Sequence, residues 1–378
     1  MARSPAGTIA LLTLVAIVFF AGVTRLMNRF HEQEKALARH MYAQGLSDQQ
    51  SGSLDRAVED FRAALSYDHN NFDYQLSLAR ALRDSGRVDE AEAYLITLWE
   101  QQPQDGFVNL ALARLEVRKD SVQDALRYYH SAIYGVWPSD SDMHRSQAQL
   151  ELINFLLDHK ALAQAQAELI SLSSSLTTDA AAHVRAADLF LRAHDPAHAL
   201  AEYQAALRHD PNLVAAAAGA GEAAFALGRY RTAETYLERA ARKNPDDAHV
   251  AELLQTATLI RDSDPYEQGI TQRERRSRLQ AAWTQAGERL QTCAQSQPLT
   301  NPSNADFAAL HARWLELKPQ IDHLLPMSEE DVSDQAMDVI ASIEQETAKT
   351  CGSASGSDQA LLIISQNRMA QNTSGADQ

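Results

Sequence analysis

The chain has 378 residues, 45% of them hydrophobic and 22% charged, the composition of a folded protein of two or three units rather than a disordered one. Its 34 Lys and Arg against 50 Asp and Glu leave a net charge of −16. That excludes a general nucleic-acid binder, which needs a net basic surface to neutralise phosphates.

The first segment is set apart from the rest. No charge lies between Arg3 and Arg25, and Ala6 to Val23 gives 18 apolar or small residues, the short end of what spans a bilayer. This predicts one membrane-spanning helix over about 6–25, followed by a linker to residue 37. A cleaved signal peptide is the other reading; no clean A-x-A site precedes "TRLMNRF", and no lipoprotein Cys follows the run. Residues 1–37 carry +2, 38–247 carry −10 and 248–378 carry −8, so the acidity is spread out and serves solubility.

Further along, "GRVDEAEAYL" at 86–95 returns as "GRYRTAETYL" at 228–237, with six of ten positions identical. The separation is 142 residues, six more than four steps of 34. Six units fit that period: 38–71, 72–105, 106–139, 146–179, 180–213 and 214–247. The six surplus residues, "DSDMHR" at 140–145, read as a polar loop. The twentieth position of each unit is Ala57, Ala91, Ala125, Ala165, Ala199 and Ala233. Identical small residues at one phase mark a close helix crossing. The eighth position is small in five units (Gly45, Ala79, Ala113, Ala187, Gly221) and is Ile153 in the fourth. Bulky residues fill the twenty-fourth: Phe61, Leu95, Tyr129, Leu169, Tyr203 and Leu237. Gly52, Gly86 and Gly228 suit a left-handed helix end, and Pro103, Pro211 and Pro245 suit helix stops.

On these residues the chain resembles a tetratricopeptide-repeat protein over about 210 of its 378 positions. The resemblance implies an all-α, right-handed solenoid of about six helix–turn–helix repeats. The fourth unit fits worst, with Ile153 at the small position and Thr177 where Pro is expected, so a kink or a longer helix is expected there. Residues 248–261 read as a capping helix that closes a solenoid domain of 38–262.

The segment 263–370 reads as a separate all-helical unit. Helices are predicted over 270–295, 304–325, from an N-cap at Ser328 to about Lys349, and over 357–369. Residues 371–378 read as a loose tail. The two cysteines, Cys293 and Cys351, both lie in this unit. They suit a disulfide in an oxidising compartment, and two unrelated buried thiols are the alternative. Arg25, Arg29, Lys35 and Arg39 follow the apolar run and favour a cytoplasmic body, whereas the cysteines favour the opposite side. We take the body as lying outside a bacterial-type inner membrane.

Catalytic signatures are weak. "GAGEAA" at 219–224 matches a dinucleotide-binding pattern, but it sits inside a predicted helix and not after a strand. His194 and His198 fall across a turn with Pro196, so they do not form a helical metal pair. An enzyme site in the C-terminal unit would have to draw on His311, Asp322 and His323, near Cys293. No cofactor or metal is predicted; two cysteines 58 apart cannot build the metal module of the lipopolysaccharide-assembly type.

Binding is the better reading. The resemblance implies that the first helix of each repeat lines a concave groove, chiefly through positions 2, 5, 9, 12 and 13. Those positions give Arg80, Arg83, Arg114, Arg118, Asn154 and Arg192, with Tyr42, Phe107 and Phe225 as aromatic surface. A basic groove in an acidic protein suits an acidic or C-terminal peptide, because guanidinium binds carboxylate bidentately. The alternatives are local pairing of these Arg with Asp84 and Glu116, and occupation by the chain's own "SEEDVSDQ". The Lys and Asn of the chaperone-tail clamp are absent: the fifth and ninth positions hold Tyr42 and Leu46, Leu76 and Arg80, and Leu110 and Arg114. The resulting expectation is a membrane-anchored interaction scaffold and not an enzyme. In outline it is similar to anchored tetratricopeptide proteins of bacterial translocation and outer-membrane assembly, and its work is expected in envelope assembly, secretion or folding quality control.

Overall fold

A computed structural model describes the backbone of residues 5–176, 179–296, 303–322 and 329–375. Among these the protein is all-α, with seventeen helices and a single isolated bridge between Asp105 and Val136. The chain divides into two compact units, 1–159 and 160–378. The division falls inside the fourth repeat.

In the first unit α1 (Pro5–Gln50) and α2 (Leu54–Tyr67) form the first repeat. Then come α3 (Phe72–Asp84) with α4 (Val88–Gln101), α5 (Gly106–Arg118) with α6 (Val122–Ile133), and α7 (Ser141–Asp158). The expected break between a helix at 6–25 and a linker to 37 does not form, and α1 runs unbroken for 46 residues. The reason is local: from Thr24 to Gln50 there is no Pro, and good helix formers dominate. Among the described residues no helix is long and apolar enough to cross a membrane. Much of the expected span lies outside the residues whose side chains are described.

The second unit holds α8 (Leu162–Ser173), α9 (Ala180–Arg192), α10 (Pro196–His209), α11 (Val214–Ala226), α12 (Tyr230–Lys243) and α13 (Ala248–Ser263). It continues through α14 (Gln272–Ser296), α15 (Ser303–Asp322), α16 (Glu329–Cys351) and α17 (Ser357–Gly375). The expected tail at 371–378 is helical as far as Gly375; Thr177, His323 and Ser328 lie outside the described residues. The expected polar loop at 140–145 is instead the start of α7, which is 18 residues long where the other first helices of the repeats from α3 onward have 13. The surplus residues lengthen a helix because Ser, Asp, Met, His and Arg offer no breaker.

Packing follows the repeat phase. All six alanines of the twentieth position are fully buried. Within a repeat the eighth position faces the twenty-fourth: a β-carbon on Gly45 would come 2.6 Å from the Phe61 ring, and one on Gly221 would come 2.6 Å from Leu237. The fifteenth position is left-handed in all six units. Gly52, Gly86 and Gly228 have φ of 78°, 84° and 70°, and Asp120, Lys160 and His194 take φ of 58°, 57° and 57°. The next amide in the chain reaches back to close the helix end, as in Arg87 N to Leu82 O at 2.8 Å and Asp195 N to Phe190 O at 2.9 Å. Helices α4, α10 and α12 each stop two residues before their proline.

The C-terminal helices share one core. Trp283 and Trp314 stack at 5.8 Å, and the Trp314 indole donates to the Trp283 carbonyl at 3.1 Å. Cys293 and Cys351 are joined, their Cα atoms 5.8 Å apart, which ties the ends of α14 and α16. Helix α13 packs more closely on α17 than on α14, its successor in sequence. Phe225 and Tyr230 of the last repeat lie against this core.

Candidate functional site: the basic groove of the first unit

Helices α1, α3, α5 and α7 bring Tyr42, Arg80, Arg83, Phe107, Arg114, Arg118 and Asn154 onto the first unit. Tyr42 donates to or accepts from Ser77 Oγ at 3.1 Å and stacks on Tyr74 at 4.6 Å. Phe107 stands edge-on to Trp137 at 4.8 Å and to His144 at 4.9 Å, and the last two rings stack. Gly106 makes this possible, because a β-carbon there would collide with the Trp137 indole.

The four arginines have different surroundings. Arg114 donates to both oxygens of Glu151, at 2.8 and 2.6 Å, and that pairing holds its pKa above the ordinary value. Arg83 is buried and pairs with the adjacent Asp84 at 2.7 Å, leaving its Nη1 buried without a partner. Arg118 is exposed. Arg80 differs from all of them. Its guanidinium lies 5.4 Å from the centre of the Phe107 ring, and its Nε is buried with no hydrogen-bond partner. Burial, then repulsion from Arg114 and Arg83, pull its pKa down to about 10. The arginine remains protonated at neutral pH, so a half-buried cation stands beside two others that already hold carboxylates, with Tyr42 and Asp105 offsetting part of the repulsion. A buried charge with no counter-ion costs several kcal/mol, about what an incoming carboxylate would offset.

Local pairing thus accounts for Arg83 and Arg114 but not for Arg80. Asp84 partners Arg83, whereas Glu116 partners Lys119 at 3.1 Å. Asn154 spends its amide on the Leu150 carbonyl of its own helix at 2.9 Å. Arg192 belongs to the second unit and is exposed there. The segment "SEEDVSDQ" opens α16, where Val332 and Ser333 are buried and Asp334 accepts from Tyr266 at 2.8 Å. Sequence reasoning missed Glu151, Trp137 and His144. Gly106, an otherwise unexplained glycine at the first position of a repeat, was the one available signal for the indole.

Of the candidate enzyme residues, His323 lies outside the described residues and the others have structural partners. His311 stacks on Trp314 at 5.9 Å, Asp322 pairs with Lys318 at 2.9 Å, and Cys293 has no thiol to offer. Among the described residues no group of three or more His, Cys, Asp or Glu is placed to hold a metal ion. His194 occupies a left-handed turn, Asp195 caps α10 by accepting from the His198 amide at 3.1 Å, and the His198 ring pairs with the same carboxylate at 2.6 Å. "GAGEAA" lies within α11, its Gly219 and Gly221 against Tyr203 and Leu237.

A tetratricopeptide-repeat family model matches residues 48–115 and 190–256. The chain is a tetratricopeptide-repeat protein. Proteins of this fold are typically protein-interaction scaffolds. Among solved structures this repeat protein is similar to PilW, a type IV pilus biogenesis factor, at 16% identity over 58% of this chain and 98% of that one, with a TM-score of 0.40. It is similar to the C-terminal part of a TPR repeat-containing protein from Cytophaga hutchinsonii at 15% identity, 70% and 98% coverage and a TM-score of 0.45. YrrB, a TPR protein with an unusual peptide-binding site, gives 16% identity, 51% and 97% coverage and a TM-score of 0.38. No curated protein matches the chain.

Proposed function

We propose that the first unit captures a protein segment bearing a carboxylate, seated on Arg80 between the aromatic surfaces of Tyr42 and Phe107. The observation that carries this reading is the half-buried Arg80, whose Nε is buried without a hydrogen-bond partner and whose guanidinium has an aromatic face but no ion pair among the described residues. An incoming Asp or Glu side chain, or a free C-terminus, supplies the missing charge. A charge-assisted hydrogen bond is worth about 1.5–3 kcal/mol, or roughly tenfold to a hundredfold in affinity. The test is fluorescence anisotropy with a labelled Glu-rich nonapeptide and its Gln counterpart. The Glu peptide should bind more tightly, and Arg80→Met should abolish the difference. Equal binding of the two peptides, or a preference that survives Arg80→Met, overturns the proposal.

The scaffold is proposed to work at a bacterial-type inner membrane with its body outside the cytoplasm, in envelope assembly, secretion or folding quality control. The uncharged run between Arg3 and Arg25 supports anchoring, as do the exposed Leu14, Ile17 and Phe20 on α1. The Cys293–Cys351 bond supports an oxidising compartment. Alkaline phosphatase fused after Gln378 should be active, and a cytoplasm-restricted reporter at the same place should be silent. The reverse pattern puts the body in the cytoplasm.

A further inference from the structure

The stretch of α1 that precedes the repeats carries a row of apolar side chains with no cover from the described residues. Phe19, Leu26 and Phe30 are 73%, 70% and 57% exposed, and Val23 and Leu37 are exposed on the same row. The row steps by four, three, four and seven residues and so keeps to one face of the helix, a spacing that a heptad seam shares with a 3.6-residue stripe over this length. Setting Val23, Phe30 and Leu37 at position a puts Phe19, Leu26 and Gln33 at position d. The row ends where the helix joins the repeats, since Ala38 is fully buried and packs with Ala64 and Tyr74.

The charges beside the seam choose the occupant. In this register Arg29 is at position g and Glu34, five residues on, is at position e. In a parallel pair the g residue of one helix faces the e residue five positions on in the other. Arg29 therefore meets Glu34 of the other helix, twice by symmetry. An antiparallel pair sets g against g and e against e, so like charges meet. An anionic lipid surface would draw in Arg25, Arg29 and Lys35 but repel Glu32 and Glu34, which interrupt the basic run.

We infer that residues 19–37 of α1 form a parallel two-stranded coiled coil with a second copy of this chain, with Phe19, Val23, Leu26, Phe30 and Leu37 in the seam and Arg29 paired to Glu34 across it. At about 1.5 Å per residue the seam is roughly 27 Å long, and it leaves both sets of repeats free. The inference does not depend on what the Arg80 groove binds.

Single-cysteine variants of the full chain in detergent test it, because both natural cysteines are already bonded to each other. Under mild oxidation Leu26→Cys, Phe30→Cys and Leu37→Cys should form cross-linked dimers at least fivefold faster than Asn28→Cys and Lys35→Cys on the opposite face. Arg29→Glu should slow the Phe30→Cys cross-link several-fold, and adding Glu34→Arg should restore it. Light scattering of the unmodified chain should give the mass of two copies. Equal rates on both faces with a one-copy mass overturn the inference. So does shielding of Leu26→Cys and Phe30→Cys from a water-soluble maleimide in anionic vesicles without cross-linking, which would assign the stripe to the bilayer surface.

Discussion

The guanidinium of Arg80 lies over the ring of Phe107, one repeat further along the chain, and the ring is in turn held edge-on by Trp137 and His144. The ring covers a cation that makes no ion pair among the described residues, although Tyr42 and Asp105 also favour its charge. A cation–π contact of this kind is worth about 0.5–2 kcal/mol, depending on desolvation. A double-mutant cycle should therefore give Arg80→Met and Phe107→Leu a coupling of that size in urea unfolding. Arg80→Met alone should leave stability unchanged or raise it by about 1 kcal/mol, since an apolar replacement removes an unpaired buried charge. A zero coupling would mean that the ring does not hold the arginine in place.

Glu344 is fully buried in the C-terminal core, its carboxylate without a hydrogen-bond partner and 3.3 Å from Arg289 Nε. Burial pushes its pKa up to about 8; Arg289 works against the rise, and Asp358 adds to it. Desolvation outweighs the ion pair because Arg289 also serves Thr347 at 2.7 Å and Asp358 at 2.8 Å. From about pH 4.5 to 8 the unfolded chain has lost this proton while the folded chain keeps it. Stability is thus highest below pH 4.5 on this account and falls as pH rises through 8, by at most about 1.4 kcal/mol per unit. Glu344→Gln should flatten that slope and stabilise the protein at pH 8. Tryptophan fluorescence of Trp283 and Trp314 during urea unfolding at pH 5 and pH 8 measures it.

His194 pays for the left-handed turn that Gly86 and Gly228 make without strain. A non-glycine residue in that conformation costs about 1 kcal/mol, partly offset by the greater freedom of glycine in the unfolded chain. His194→Gly should raise stability by about 0.5–1 kcal/mol, and Gly86→Ala should lower it by a similar amount. Thermal unfolding of the two variants should shift in opposite directions.

The Cys293–Cys351 bond closes a loop with a sequence separation of 58 that contains α15 and α16. Removing a cross-link of this span costs about 2–4 kcal/mol, chiefly by freeing the unfolded chain. Cys351→Ser should lower the unfolding midpoint of the C-terminal helices. The denatured, unreduced protein should take up no thiol reagent, and uptake of two equivalents would show that the pair is not bonded.

The sequence by itself determined the repeats. A 34-residue period with Ala at one phase leaves little choice, because a bulky residue there would push the helices apart, and the left-handed turn and proline stops follow from single-residue backbone preferences. The same local logic placed the arginines on the first helix of each repeat. Tertiary structure decided what those arginines do. Arg114 finds Glu151 37 residues away and Arg83 finds its neighbour Asp84, while Arg80 finds only a ring. Three guanidinium groups with the same spacing rule differ in pairing because pairing depends on distances between helices, which no periodicity encodes. The helical state of 140–145 and the joining of 26–37 to the first repeat were, by contrast, local: neither segment holds a breaker, so each extends the helix beside it. The choice of α17 as the partner of α13 lay furthest from the sequence, since apolar faces match many others until the whole chain is folded.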